Sequence, residues 1–552
     1  MILTTLMTRT TECRRLRHRT TTRRGSILVV VFVVISLLSY GCYQFVIAAS
    51  DQHRTIAAAV EQVRLELGAD SGEEFLKVVL QDPTFLAPAN RSHAPANRSH
   101  QDVLRDFRGI ALSQSSRPIV PKEGFTVIGW ELGDQNQLQL QYHPSNESSR
   151  VSLEAIARWE KEQPGTGRQS LMQLPGMDLE LATAILRLLG ASSSLEMGPT
   201  ESEATSLADG FNYSPMSSGL FSLQAWQGLS LQELMRIPQI SQQTLFGLDY
   251  NRNFHISAFE TATGSTTLGT SRFAPEEPPL HVLITPYSAE RNTTSNGLPR
   301  VYLNLGDLTV LEQQLSKRLP AHWVDFILAY RRYGPVASAA ANSPDKPANP
   351  VKELPGNYIT SVYDLIGTAV ATKSTAEGTE IISSPFSTQP SEMREYLMRL
   401  VDEVTVDWRQ IIPGRININD APPAVLRCIP GLDHNLVERI VAARQGEPAS
   451  STGHREHAAW LLAEGWIGIE WMRSLEPYIT GRGDVYRAQI ISYLVEEYET
   501  ERPAAGQPRL NTLKSIRREI VIDAANNPPR VIYRKDLANL GQGYSTEVVL
   551  PD

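Results

Sequence analysis

Ser26 to Ala49 is a run of 24 residues without a formal charge. At about 1.5 Å rise per residue, a run of that length crosses a bilayer as a helix. The run passes without a proline or glycine break into Asp51 to Val60 and on to Leu67, and Ile56, Ala59, Val60, Val63 and Leu67 keep helical spacing. The pattern predicts one continuous helix, its first half in lipid and its second half against a soluble domain. Strand-like alternation follows at Phe125 to Trp130 and Gln137 to Tyr142, with further strand candidates at His281 to Thr285 and Arg300 to Leu305. Pro/Ser/Gly-rich stretches at 196–219 and 334–357 interrupt this region, and a tandem Ala-Pro-Ala-Asn-Arg-Ser-His at 87–100 reads as a surface insertion.

A second pattern repeats. Leu171 to Asp178, with Pro175-Gly176, runs into the apolar-periodic segment Leu179 to Leu186. Leu426 to Asp433, with Pro430-Gly431, runs into Asn435 to Arg444. In both, an apolar turn ends at Pro-Gly and an aspartate is placed to cap the next helix. A degenerate third copy spans Leu234 to Ser241, where Gln239 replaces the glycine. These units resemble helix-hairpin-helix elements, which in many proteins receive phosphate on the amides of the glycine turn. Here Asp178 and Asp433 stand beside those amides, with Glu180 near the first and no basic stripe around it. The expectation is a structural or protein-binding role.

Charge sets the orientation. Seven arginines, Arg9, Arg14, Arg15, Arg17, Arg19, Arg23 and Arg24, precede the apolar run against one acid, Glu12. That bias keeps the N-terminus cytoplasmic and sends the remainder across. The whole chain of 552 residues has a formal charge of -8, so a basic head is joined to a more acidic body and no general cationic surface for nucleic acid is indicated. With 41% hydrophobic and 20% charged residues, the body is folded material of two or three domains. Cys13, Cys42 and Cys428 form no disulfide framework or metal cluster, and Cys428 reads as a buried apolar residue.

The junction Arg23-Arg24-Gly25-Ser26 followed by Ile27 to Val34 admits a plain anchor, a signal cleaved near Ser50, or cleavage after Gly25 that leaves Ser26 as a hydrophobic N-terminus. Arg415-Ile416-Asn417-Ile418-Asn419-Asp420-Ala421-Pro422-Pro423, continuing to Pro430-Gly431, adds a second signature. Together, the junction, the early hairpin region at 171–250 and this late signature resemble the minor pseudopilin K family of type II secretion systems. The resemblance covers most of residues 20–500. Major pseudopilins and most minor ones have Glu at the fifth mature position, where this chain has Val30, a departure typical of the K family.

The resemblance implies an α+β fold: one N-terminal transmembrane, pilin-like helix and an antiparallel-sheet body, enlarged by a mostly helical insertion holding the hairpin units. The corresponding division is 1–25 leader, 26–49 membrane segment, 50–144 helix and first part of the pilin-like domain, 145–400 insertion, 401–495 late hairpin and strands, and 496–552 C-terminal extension. It implies a non-enzymatic tip subunit processed by prepilin peptidase, with other minor pseudopilins and inner-membrane secretion components as partners. Relatives hold calcium near the inserted domain. Asp209 and Asn212, and Asp249, Asn251 and Asn253, are oxygen-rich here, but neither cluster has a convincing loop spacing, and both read as Asx turns and helix ends. Asn417 and Asn419 alternate with Ile416 and Ile418, which predicts amides that fix a loop while the isoleucines enter the core. His281, His322, His434, His454 and His457 are scattered, and no nucleophile elbow or phosphate loop occurs.

Overall fold

The computed structural model describes residues 24–81, 107–112, 123–133, 137–191, 230–257, 260, 278–335, 357–371, 381–446, 455–497, 510–541 and 543–550. Asp209, Asn212 and His454 lie outside them. Helix α1 (Arg24–Gln81) is unbroken, as expected, and continues beyond Leu67, but the apolar positions Ile56, Ala59, Val60, Val63 and Leu67 are exposed and the packed stripe begins at Leu65 on another face. It is long and apolar enough to cross a membrane. The chain divides into two compact units, Met1–Arg64 and Leu65–Asp552. In the first, every residue from 28 to 60 is exposed.

In the second unit, the remainder of α1 buries the stripe Leu65, Gly68, Ala69, Gly72, Leu76 and Leu80. This i, i+3, i+4 spacing turns one face to a sheet. The sheet consists of β1 (Ile110–Ala111), β2 (Glu123–Leu132), β3 (Leu138–Gln141), β4 (Ser145–Asn146), β5 (Val485–Glu497), β6 (Leu510–Asp523) and β7 (Arg530–Asp536). Its order is β1-β2-β5-β6-β7, with β3 on β2 and β4 on β5, and every pairing is antiparallel. Phe125 and Val127 of β2, Ala488, Ile490 and Leu494 of β5, and Ile516, Ile520 and Ile522 of β6 share one apolar core with α1. The helix lies close because Gly68 and Gly72 carry no side chain: a Cβ on Gly68 would stand 2.2 Å from the Ser492 hydroxyl oxygen, and one on Gly72 2.6 Å from Ile490 Cγ2.

The described residues between 145 and 480 form a helical body stitched by five two-stranded ladders, three of them parallel. One hydrophobic core runs from Trp130 through Val151 to Ile479, so the late hairpin shares its core with the early one. Two strand expectations are corrected. His281 to Thr285 is a helix, Leu280–Leu283, with only Ile284–Thr285 extended, because Leu280, Val282 and Leu283 all pack into this core as one helical turn. Arg300 to Leu305 shortens to Val301–Tyr302, held by Val404–Thr405. β6 and β7, Leu510–Asp523 and Arg530–Asp536, are integral strands of the sheet.

Candidate functional site

The apolar helix opens the candidate assembly surface. Gly25 and Ser26 lie in the first turn of α1, and Val30 follows with 59% of its surface exposed. Apolar residues from Leu28 to Ile47 stand exposed around the helix, a surface that water disfavours and that lipid or neighbouring helices would cover.

The Asn signature ties three segments together. Ile416 and Ile418 are fully buried, and their amides donate to the Tyr478 and Thr480 carbonyls at 2.9 and 3.0 Å. Asn417 Oδ1 accepts the Asn419 amide at 3.0 Å, while its Nδ2 donates to Asp420 at 2.8 Å. Asn419 Nδ2 donates to the Arg455 and Gly481 carbonyls at 2.6 and 2.8 Å, and its Oδ1 accepts the buried Trp460 indole N–H at 3.2 Å. Ala421 is buried, Arg444 donates to its carbonyl at 2.7 Å, and Pro422 then caps the helix that starts at Pro423. Both asparagine amides are thus engaged in holding backbone, where their short planar groups present donors and an acceptor together.

The hairpins form as helix α2 (Thr166–Leu171) followed by α3 (Leu179–Leu188), and α4 (Pro423–Leu426) followed by α5 (His434–Gly446). Asp178 accepts the Leu181 amide at 2.8 Å and Asp433 the Leu436 amide at 2.6 Å, the capping bonds the sequence predicts. Gly176 and Gly431, each after its proline, take φ of 68° and 79°, a region that favours glycine. A cleft of about 480 Å³ brings Pro430 and Gly431 together with Gln169, Ser170 and Gln173 of the early hairpin. Pro175 and Gly176 do not line it. The Gly431 carbonyl accepts the Trp471 indole N–H at 2.9 Å, so the late turn is fixed to the helix Ile469–Leu475.

Substituting valine for Gly431 is expected to cost about 1–3 kcal/mol. The nearest atom to an added Cβ is 4.0 Å away, so the loss comes from the backbone and not from a clash. Urea unfolding of Gly431→Val measures it, and wild-type stability would show that the turn relaxes freely.

The Asp249 cluster does not fit calcium. Asp249 accepts the Asn253 and Phe254 amides at 3.1 and 2.7 Å, Asn251 Oδ1 accepts Asn253 at 3.0 Å, and Asn253 Oδ1 accepts His255 at 2.8 Å. The oxygens that a hard cation needs are committed to an Asx ladder. Among the described residues no group of three or more His, Cys, Asp and Glu is placed to hold a metal ion. Cys428 is buried, and burial pushes its thiol up. His457 pairs with Asp402 at 3.0 Å; burial pushes it down to about 4 against that hydrogen bond, so the ring is neutral at pH 7.

Sequence reasoning missed a buried ion chain on the sheet face turned away from α1. The Arg487 guanidinium donates to Glu147 and to Glu519, each at 2.8 Å, and Glu519 accepts Arg252 at 2.7 Å. Glu147 also receives Arg150 and the Thr285 hydroxyl. Burial raises the Glu519 carboxyl, but Arg487 and Arg252 outweigh it and bring it down to about 2. The chain joins β5 and β6 to the helical body. The available signal was polar and charged residues at inward positions of otherwise apolar strands, Arg487 and Gln489 in β5 and Arg517 and Glu519 in β6. No family model matches this chain, and neither a curated protein nor a solved structure does.

Proposed function

We propose that this chain is a non-enzymatic minor pseudopilin that initiates or caps the pseudopilus of a type II secretion system. The observation that carries the reading is α1: one helix whose first part exposes apolar residues and whose last part seats, through Gly68 and Gly72, on an antiparallel sheet. That is how a pilin-like subunit offers a packing helix and a globular head. Prepilin peptidase cuts after Gly25 on the cytoplasmic side, and the body stands in the periplasm behind a single inner-membrane span. In such a fibre, a Glu at the fifth mature position pairs with a neighbour's free amino terminus. Val30 offers no charge there, which supports a place at the tip, beside other minor pseudopilins and the inner-membrane components. The helix-capping work of Asp178 and Asp433 next to the glycine turns supports protein contacts and no nucleic acid. N-terminal sequencing of mature protein from its native cell is expected to begin at Ser26. A start near Ser50 would show a removed signal peptide and remove the assembly helix from the mature chain.

A further inference from the structure

The Asx ladder at 249–255 has a purpose in the fold that calcium does not explain. Arg252 and Phe254 have φ of 55° and 60°, the only non-glycine residues with positive φ among the described residues. For large side chains this conformation is strained and persists where surroundings impose it. Both residues line the same cavity of about 250 Å³. The ladder therefore directs two strained side chains into one space.

The walls of that space are aromatic. Trp130 lies 5.2 Å from the Phe254 ring and 6.4 Å from His281, and His281 lies 5.4 Å from Phe246, centroid to centroid. Ile256, 52% exposed, stands at the margin. The charged groups of the lining are already engaged: Arg252 is bonded to Glu519 and lies over the Phe246 ring, Glu519 is bonded to Arg487, and the Asp249 carboxylate accepts the Asn253 and Phe254 amides. A charged ligand would have to compete with those buried pairs, which is costly. His281 hydrogen bonds the Leu245 carbonyl at 3.1 Å through Nδ1. Burial, with Arg252 nearby, holds the imidazole down to about 3, so it is neutral. With Nδ1–H as the donor to Leu245, Nε2 is the acceptor nitrogen.

We infer that this cavity is a binding site for an uncharged aromatic group of about indole size that carries one N–H or O–H donor for His281 Nε2. The inference stands apart from the secretion reading and survives its failure. The shared chemistry belongs equally to a free aromatic molecule and to a tryptophan or tyrosine side chain on a bound polypeptide.

The test is calorimetric titration of the full chain in lipid nanodiscs, with empty nanodiscs of the same lipid as reference. Indole is expected to bind saturably at one site, roughly fivefold to tenfold more tightly than 1-methylindole, which has no donor. Benzoate is expected not to bind. N-acetyltryptophanamide separates the sources: affinity near that of indole points to a peptide side chain, and no binding to a free molecule. Ile256→Trp fills the space from its exposed margin without touching the core and is expected to lower indole affinity about tenfold or more. His281→Phe is expected to equalise indole and 1-methylindole. Heats equal to those of empty nanodiscs, or saturable indole binding unchanged in Ile256→Trp, overturn the site whether or not His281→Phe folds.

Discussion

A chain ending at Glu497 is expected not to fold. The lost segment carries β6, which pairs with β5 from Val485 to Glu497, and β7 beyond it. It carries Ile516, Ile520 and Ile522 of the core against α1, and Arg518, which pairs with Asp70 of that helix. It also carries Glu519, half of the ion pairing of Arg487, and Arg517, which donates to the Asn251 carbonyl at 2.8 Å. Truncation exposes the β5 edge and an apolar sheet face together, a combination that favours aggregation. Circular dichroism and limited proteolysis of residues 1–497 should show no cooperative transition in the body. A melting temperature within a few degrees of the full chain would mean that 496–552 is a dispensable extension after all.

Arg487→Met is expected to destabilise the body by about 3–5 kcal/mol, the usual cost of removing one partner from a buried ion pair. Methionine matches the aliphatic stem but leaves Glu147 and Glu519 competing for fewer cations. The pH dependence identifies the cause. Glu519 is depressed to about 2 in the native state, so its stabilising contribution is present above the ordinary carboxylate value and is lost as pH falls toward 2. The deficit of Arg487→Met is therefore largest near neutrality and shrinks through the same interval. Adding Glu519→Gln should recover part of the loss, because the uncompensated charge is gone. Urea unfolding of both variants between pH 7 and pH 3 measures this, and a deficit that does not change with pH would point to lost packing instead.

What the sequence shows follows from how local each signal is. The continuity of α1, free of breakers, and the Pro-Gly turns with their capping aspartates are set within a few residues, so both are legible, whereas which face of α1 packs is decided by the distant sheet. The run from His281 to Thr285 is not legible. Its four apolar or β-branched positions, Val282 to Thr285, fit a strand or a helical turn equally, and contacts from distant segments decide. β6 is hidden for the opposite reason: Lys514, Arg517, Arg518 and Glu519 mask its alternation. Arg517, Arg518 and Glu519 are satisfied by Asn251, Asp70 and Arg487, partners far away in the chain. The same masking concealed the ion chain at the joint between sheet and helical body. For Asn417 and Asn419 the residue types announce a loop-fixing role, while their partners at Arg455, Trp460 and Gly481 emerge only from the fold.

The assembly reading turns on what meets the apolar half of α1. A photo-crosslinking amino acid placed at Val30, and separately at Leu37, in the native cell captures whatever packs there. The predicted adducts are with the N-terminal helices of other minor pseudopilins, identified by mass spectrometry and dependent on cleavage after Gly25. Adducts with lipid alone, or only with identical copies of this chain, would contradict a tip position and leave a membrane-anchored scaffold or adhesive protein independent of secretion.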